Sequence, residues 1–277
     1  MGGRGQLGRS LVERLGARGT APARDALDLA QPASVAQAVR ASGASVVFNA
    51  AAYNAVDAAE SDPGAAFAVN ATGALHLARA CAEAGALLVH VSTDYVFDGS
   101  DQAPIPEERC PRPLGVYGAS KLAGEALVAA SGAAHLIVRT SGVFALGGSR
   151  DKGGSFVERI LARARSGQPL RVVDDQVFAP TYAPDLAAAL LALVEAGAHG
   201  LVHVTNSGSC SWHELALAAL RVAHVDAPVT PISARDLGAP ARRPAYSVLD
   251  GARARALGLP ALRPWPEALQ AMLAPSR

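Results

Sequence analysis

Tyr117 and Lys121 place a phenol and an ammonium four residues apart in the stretch Tyr117-Gly118-Ala119-Ser120-Lys121, with a helix expected to run on through Glu125 and Val128. Residues i and i+4 of a helix share one face, with Cβ atoms about 5–6 Å apart. An ammonium at that range stabilises phenolate and is expected to lower the tyrosine pKa from its usual value of about 10. A phenol so tuned can donate or accept a proton near neutral pH, which is general acid–base chemistry. The lysine is informative in itself, because the chain has only two, Lys121 and Lys152, among 25 Lys+Arg. Arginine holds its charge throughout, so a lysine in an arginine-rich chain marks a place that uses a compact, tunable ammonium. The same spacing also arises on solvated helix faces, so the surrounding elements must decide.

The chain opens on Gly2-Gly3-Arg4-Gly5-Gln6-Leu7-Gly8, followed by Leu7, Leu11, Val12 and Leu15 at helical spacing. Gly2, Gly5 and Gly8 form a G-x-x-G-x-x-G loop that opens a helix, where close backbone approach and free N–H groups favour a pyrophosphate. A dinucleotide fold needs a buried strand before such a loop, yet only Met1 precedes Gly2. The first strand is therefore missing from the N-terminus as written, and a start further upstream is the expectation. Ala26-Leu27-Asp28-Leu29 is expected to end a short second strand, with Asp28 about 20 residues past the glycines, where an adenosine contact falls. Asp28 also suits an ordinary turn or helix cap.

Further on, helices are expected over 34–41, from Asp62-Pro63 to Ala82, over 156–164 and over 184–196. Strands are expected at 45–49, 87–91, 135–140, 170–173 and 201–205. Their alternation predicts an α/β fold, a doubly wound parallel (Rossmann-type) sheet with a smaller C-terminal substrate lobe. The expected division assigns 1–142 plus about 170–205 to dinucleotide binding, and about 143–169 plus 206–277 to the smaller lobe. Strand 45–49 runs into Ala50-Ala51-Ala52, and 87–91 into Ser92-Thr93-Asp94-Tyr95. Small residues at strand ends leave room for a ligand at the carboxyl edge of a parallel sheet.

Composition narrows the classes. Half of the 277 residues are hydrophobic, 18% are charged and the net charge is +1, which predicts a well-filled globular interior. No basic stripe with interleaved aromatics is present, so nucleic acid is not an expected partner. The longest apolar run, Leu186 to Val194, falls short of the roughly 20 residues a bilayer needs, so no membrane partner is expected. No charged-then-apolar leader opens the chain. The three scattered cysteines, Cys81, Cys110 and Cys210, predict neither a disulfide framework nor a zinc site and fit the cytoplasm.

The glycine loop, the strand ending in Ser92-Thr93 and the Tyr117-x-x-x-Lys121 helix together resemble the extended short-chain dehydrogenase/reductase superfamily. Gly5-Gln6-Leu7-Gly8, Asn49-Ala50-Ala51-Ala52-Tyr53, Ala55-Val56-Asp57, Ser92-Thr93-Asp94-Tyr95-Val96-Phe97-Asp98-Gly99, Asp174-Asp175-Gln176, the run from Pro180 to Asp185 and the run from Ala241 to Asp250 narrow the resemblance to the dTDP-4-dehydrorhamnose reductase family. These matches span nearly the whole chain in one order. The resemblance implies NADPH- or NADH-dependent reduction of the C4 ketone of a dTDP-4-keto sugar, with a nucleotide sugar as partner, as monomer or homodimer. It implies that Tyr117 protonates the developing alkoxide, that Lys121 holds the nicotinamide ribose, and that Thr93 donates where oxyanion charge grows. By the same likeness Gly2, Gly5, Gln6 and Leu7 cradle the cofactor phosphates, Asp28 and Leu29 lie by the adenosine, and Ala52, Tyr53 and Asn54 line the cofactor. Thr93, Asp94 and Gly142 are assigned to the substrate.

Four positions depart from the family pattern. Gly142 stands where a tryptophan is usual, Ser155-Phe156 replaces an asparagine–phenylalanine pair, and Asn54 replaces a threonine. Ser10 occupies the place of the first glutamate with which some members bind magnesium, so no metal is expected. The residue after Asp94 is Tyr95, where the related dehydratases carry a glutamate, which argues against dehydration. Two alternatives stay open. One is another sugar-nucleotide reductase or a 4-epimerase, and the other is a non-catalytic NADP-binding regulatory relative.

Overall fold

The computed structural model describes residues 1–22, 27–148 and 153–274. Among them the central sheet has four parallel strands in the order β1 (Val46–Asn49), β2 (Leu87–Thr93), β3 (His135–Thr140) and β4 (Gly200–His203). Alternate residues of each strand face opposite sides. Leu88 and Ile137 point into one apolar layer, Val89, Leu136 and Val138 into the other. Helix α1 (Gln6–Leu15) covers the second layer with Leu7 and Leu11, one turn apart. The first is covered by α2 (Pro32–Ser42), whose Val35 and Val39 are fully buried and which Gly43 ends in a left-handed cap. The sheet is thus covered on both faces, as doubly wound sheets require.

Met1 occupies the outer edge of β1. Its amino group donates to the Phe48 carbonyl, and its own carbonyl accepts from Ala50 N at 3.2 Å, the bond pattern of a parallel neighbour.

After β1 come α3 (Val56–Ser61) and α4 (Pro63–Phe67), the latter capped by the Asp62 carboxylate on Ala65 N at 3.0 Å. Helix α4 passes through a π-helical turn, Ala68–Thr72, into α5 (Gly73–Ala84). The long helix expected from Asp62-Pro63 therefore forms, but with one wide turn that pushes Asn70 into the interior. Helix α6 (Val116–Ala129) carries Tyr117 and Lys121 and leads to β3.

The smaller lobe gathers α7 (Phe156–Arg165), the helix α9 (Trp212–Val222) and the C-terminal helix Trp265–Leu273 around Val157, Leu161, Phe178, Leu215 and Leu269. Between them in sequence, α8 (Ala183–Glu195) packs back on the central sheet. Both α7 and α9 begin with a capping box, Ser155/Glu158 and Ser211/Glu214.

Two expectations are corrected. Leu170–Val173 is a strand, but it pairs in parallel with Val229–Ile232 and packs in the smaller lobe's core, outside the central sheet. No strand ends at Leu27–Leu29; Asp28 Oδ1 instead accepts from Ala30 N at 2.9 Å, holding a turn. Ala26, where that strand was expected, and Lys152 lie outside the described residues.

A return segment joins the two parts. Ser247 N donates to Val177 O, and Ile105 N donates to Val248 O, each at 2.8 Å. Residues 245–250 thus run from the smaller lobe back to the loop after β2.

Candidate active site

Helix α6 starts at the mouth of the sheet. Its first turn has no side-chain cap from its own N-cap residue, and Glu60 of α3 supplies one, accepting from Val116 N at 2.8 Å. Tyr117 thereby reaches the carboxyl end of β2, where its hydroxyl hydrogen-bonds Thr93. Thr93 Oγ1 donates to Asp94 Oδ1 at 3.1 Å and accepts from Tyr95 N at 3.2 Å. A hydroxyl has one proton and two lone pairs, and the bond that lowers the proton affinity of the phenol is one in which Thr93 turns that proton from Asp94 to the Tyr117 oxygen. Asp94 is buried and ends the chain, its Oδ2 taking hydroxyls from Ser141 at 2.8 Å and Ser247 at 2.6 Å.

The expected lowering of the Tyr117 pKa does not occur. Burial pushes the phenol up to about 12; the Thr93 hydrogen bond pulls it down and the Asp94 carboxylate adds to the rise. Lys121 is 2% exposed and turns its Nζ to the Val91 carbonyl, 2.7 Å away. Burial lowers this ammonium to about 8, against an opposing pull from Glu125. Desolvation decides the direction for both groups, because each is taken from water before it meets a full counter-charge.

Glu125, one turn beyond Lys121, is buried with Arg139 of β3 in a bidentate pair of 2.7 to 3.2 Å. Ser92 donates to the same carboxylate, and the guanidinium lies over the Phe97 ring, 5.1 Å from its centroid. This pair pins α6 onto β2 and β3. In the sequence Glu125 shows only as a helix residue, and its charge on the Lys121 face of the Tyr117 helix is the one signal of this role.

Asn70 was missed altogether. Its Oδ1 accepts from Tyr53 N at 2.8 Å, and its Nδ2 donates to Tyr53 O at 3.0 Å and to Ser120 Oγ at 2.9 Å. Ser120 Oγ in turn donates to Tyr117 O at 2.8 Å. A lone amide inside an apolar helical run, Val69-Asn70-Ala71, was the signal for it.

The glycine loop is tight. Gly2 has φ +78, Gly5 N donates to Gly2 O at 2.9 Å, and a Cβ at Gly8 would lie 2.0 Å from that oxygen. Helix α1 begins at Gln6 without a side-chain cap, which leaves its first N–H groups for a ligand. Gln6 reaches across to Val143 O at 3.4 Å, whereas the Leu7 side chain is in the core. Ala52, Tyr53 and Asn54 lie in the loop between β1 and α3. Asp28 is exposed in its turn, and Leu29 packs in the layer beneath α2 and α5.

Gly142 follows Ser141 with φ +48, and a Cβ there would fall 2.2 Å from the Phe178 ring. Phe178 stacks on Trp212 with centroids 4.0 Å apart, and Phe156 meets the same indole at 4.8 Å. The space beside position 142 is therefore filled by the Phe178 ring from another strand, beyond the reach of local spacing. Among the described residues no cluster of three or more His, Cys, Asp or Glu side chains could hold a metal ion, and no helix is long and apolar enough to cross a membrane.

Known proteins resemble this chain in sequence and in fold. The family described as RmlD substrate binding domain matches residues 1–277. A dTDP-4-dehydrorhamnose reductase of Streptomyces griseus is 42% identical over 97% of this chain and 90% of its own. One of Mycobacterium tuberculosis is 42% identical over 99% of this chain and 91% of its own. The crystal structure of a dTDP-4-dehydrorhamnose reductase from Bacillus anthracis in complex with NADP superposes with a TM-score of 0.93 at 35% identity, covering 98% of this chain and 96% of that one. With matches of this length, and with Thr93, Tyr117 and Lys121 gathered at one sheet edge, the chain belongs to the RmlD substrate binding domain family, as a dTDP-4-dehydrorhamnose reductase-like member of the extended short-chain dehydrogenase/reductases.

Proposed function

We propose that this protein reduces the C4 ketone of dTDP-4-dehydro-β-L-rhamnose to dTDP-β-L-rhamnose with NADPH, as a cytoplasmic enzyme acting as monomer or homodimer. The observation that carries this reading is the Tyr117–Thr93 hydrogen bond at the carboxyl end of β2, with Lys121 one turn along the same helix.

The residues present fit a dinucleotide. The tight packing of Gly8 on Gly2, which no Cβ would allow, and the uncapped start of α1 leave backbone N–H groups for a pyrophosphate. Gly2, Gly5, Gln6 and the Leu7 backbone would hold the phosphates, Asp28 and Leu29 would lie near the adenosine, and Ala52, Tyr53, Asn54 and Lys121 would hold the nicotinamide half. The bound cofactor supplies the hydride.

Tyr117 supplies the proton. At a pKa of about 12 it stays protonated across the working range, as a donor must. An alkoxide's conjugate acid resembles water, at about 15.7, so proton transfer from the phenol to the new alkoxide runs downhill by several units. Rotation of the single Thr93 proton away from Asp94 would let it donate to the substrate oxygen, where negative charge grows. Asp94 orients Thr93 through the bond it accepts, and lies with Gly142 beside the sugar.

The lobes follow the same division of labour. We assign 1–142 and the run through α8 and β4 to the cofactor, and place Leu170–Phe178 with the smaller, substrate-holding lobe because Leu170–Val173 pairs with Val229–Ile232 and Val177–Phe178 with Cys210–Ser211.

Purified protein mixed with NADPH and the dTDP-4-keto sugar should consume NADPH, and should not do so without the sugar. Tight NADPH binding without turnover would leave a non-catalytic binder instead.

A further inference from the structure

The rings of Tyr95 and Tyr117 meet edge to face, with centroids 5.8 Å apart and planes at 82°. The Tyr95 backbone also abuts α6, since a Cβ at Gly118 would lie 2.1 Å from its carbonyl oxygen. Tyr95 thus touches α6 at two consecutive residues, through its ring and through its main chain.

Two groups hold Tyr95 in turn. Its N–H donates to Thr93 Oγ1, and its hydroxyl is hydrogen-bonded by Arg243. Arg243 lies just before residues 245–250, at the start of the return segment and far along the chain. Its Nη2 pairs with Asp57 Oδ2 of α3 at 2.9 Å, and its Nη1 donates to Ala241 O at 3.0 Å. Asp57 Oδ1 accepts from Ala241 N at 3.2 Å, so one carboxylate fixes both the guanidinium and the backbone that carries it. The Arg243 side chain is 17% exposed and that of Asp57 45%, so the guanidinium is held largely out of water while its carboxylate partner is half in it.

We propose that Tyr95 is a positioning residue for Tyr117, and that the Asp57–Arg243 pair is the clamp through which the C-terminal return segment sets it. The inference rests on Tyr117 being the proton donor. Its physical basis is that proton transfer needs hydrogen-bond reach, while a misplacement of about 1 Å can cost roughly 10²-fold. Tyr117 lies in the first turn of α6, the part of a helix least restrained by its own hydrogen bonds. A flanking ring tied to a third segment supplies the restraint. The smaller lobe and the proton donor are then mechanically joined, since displacing residues 241–247 would loosen Tyr95 and, through Ser247, Asp94.

The test uses Tyr95→Leu, Tyr95→Phe, Arg243→Met and the Tyr95→Phe/Arg243→Met double variant of the full chain. Tyr95→Leu should lower kcat about 10- to 100-fold, with KM for sugar nucleotide and NADPH within about twofold of wild type. The solvent isotope effect on kcat should rise, because a misplaced donor makes proton transfer slower. Tyr95→Phe and Arg243→Met should each lower kcat by a smaller, similar factor, and the double variant should be no worse than either, as expected of groups acting along one path. Unchanged kcat in Tyr95→Leu, a change confined to KM, or additive losses would overturn the proposal. Hydrogen exchange provides a readout without turnover. Protection of amides 117–121 should fall in Arg243→Met while β2 and β3 keep theirs, and unchanged protection would refute the clamp. A wild type that lacks reductase activity would sink the functional reading, and the exchange result would still decide the clamp.

Discussion

Asn70 donates to Ser120 Oγ at 2.9 Å while both its amide oxygen and amide nitrogen hold the backbone of Tyr53. One buried side chain thereby fixes the distance between the loop after β1 and the helix that carries Tyr117 and Lys121. The π turn makes this possible, because a regular helix would direct residue 70 elsewhere. Asn70→Leu leaves the Tyr53 N–H and C=O without their partner, at about 1–3 kcal/mol for each buried group. We expect a loss of roughly 2–4 kcal/mol by urea denaturation together with weaker NADPH binding. A variant as stable as wild type would show that water or another group replaces the amide.

Tyr117→Phe removes the proton donor and little else. kcat should fall by about 10²–10⁴, the usual contribution of a positioned acid, and the NADPH dissociation constant should stay within about twofold. Steady-state rates and a fluorescence titration check the two halves. Retention of full rate would remove Tyr117 from the chemistry.

The alkaline limb of the pH profile should belong to Lys121. With the phenol at about 12 and the ammonium at about 8, the group that changes charge first is the lysine. NADPH affinity should therefore weaken above pH about 8 as the ammonium is lost. Stability moves the other way. Between about 8 and the usual 10.5 the folded chain has released this proton and the unfolded chain still binds it, so this residue's contribution to stability rises with pH there. Glu125→Gln removes the carboxylate that opposes the lowering and should shift the limb to lower pH. Binding that stays flat from pH 6 to 10, an interval of about four units around the lysine, would contradict the assignment.

The Glu125–Arg139 pair should matter more when broken than when replaced. Glu125→Ala leaves a guanidinium that is 3% exposed without its carboxylate, at about 3–5 kcal/mol. Glu125→Met with Arg139→Met should recover most of that loss. Thermal or urea unfolding measures both, and equal losses in the single and double variants would show that the charges contribute little.

Gly142→Ala should destabilise by about 2 kcal/mol, from the left-handed backbone and from contact with Phe178. Pairing it with Phe178→Leu should return part of the loss, because only the steric share is relieved. Failure of that rescue would assign the whole cost to the backbone.

Much of the fold was legible because it is local. The helices over 34–41, 156–164 and 184–196 followed from apolar spacing, and β2 and β3 from short buried runs between turn residues. Leu170–Val173 was legible as a strand but not as to its sheet, since its partner lies far along the chain at 229–232. Asp28 was ambiguous between strand end and turn, and its own side chain, bonded two residues on, favours the turn.

By itself the sequence determined that a phenol and an ammonium share one face of α6, that a glycine loop opens α1, and that small residues end β1. Those are properties of i, i+4 geometry and of backbone sterics, which neighbours in the chain settle. Only the tertiary structure decided the proton affinities of Tyr117 and Lys121, the bond from Arg243 to Tyr95, and the Phe178 ring that fills the space at Gly142. Each depends on groups far apart in sequence excluding water from the same small volume. Burial of that kind outweighs the single nearby charge that local spacing can reveal.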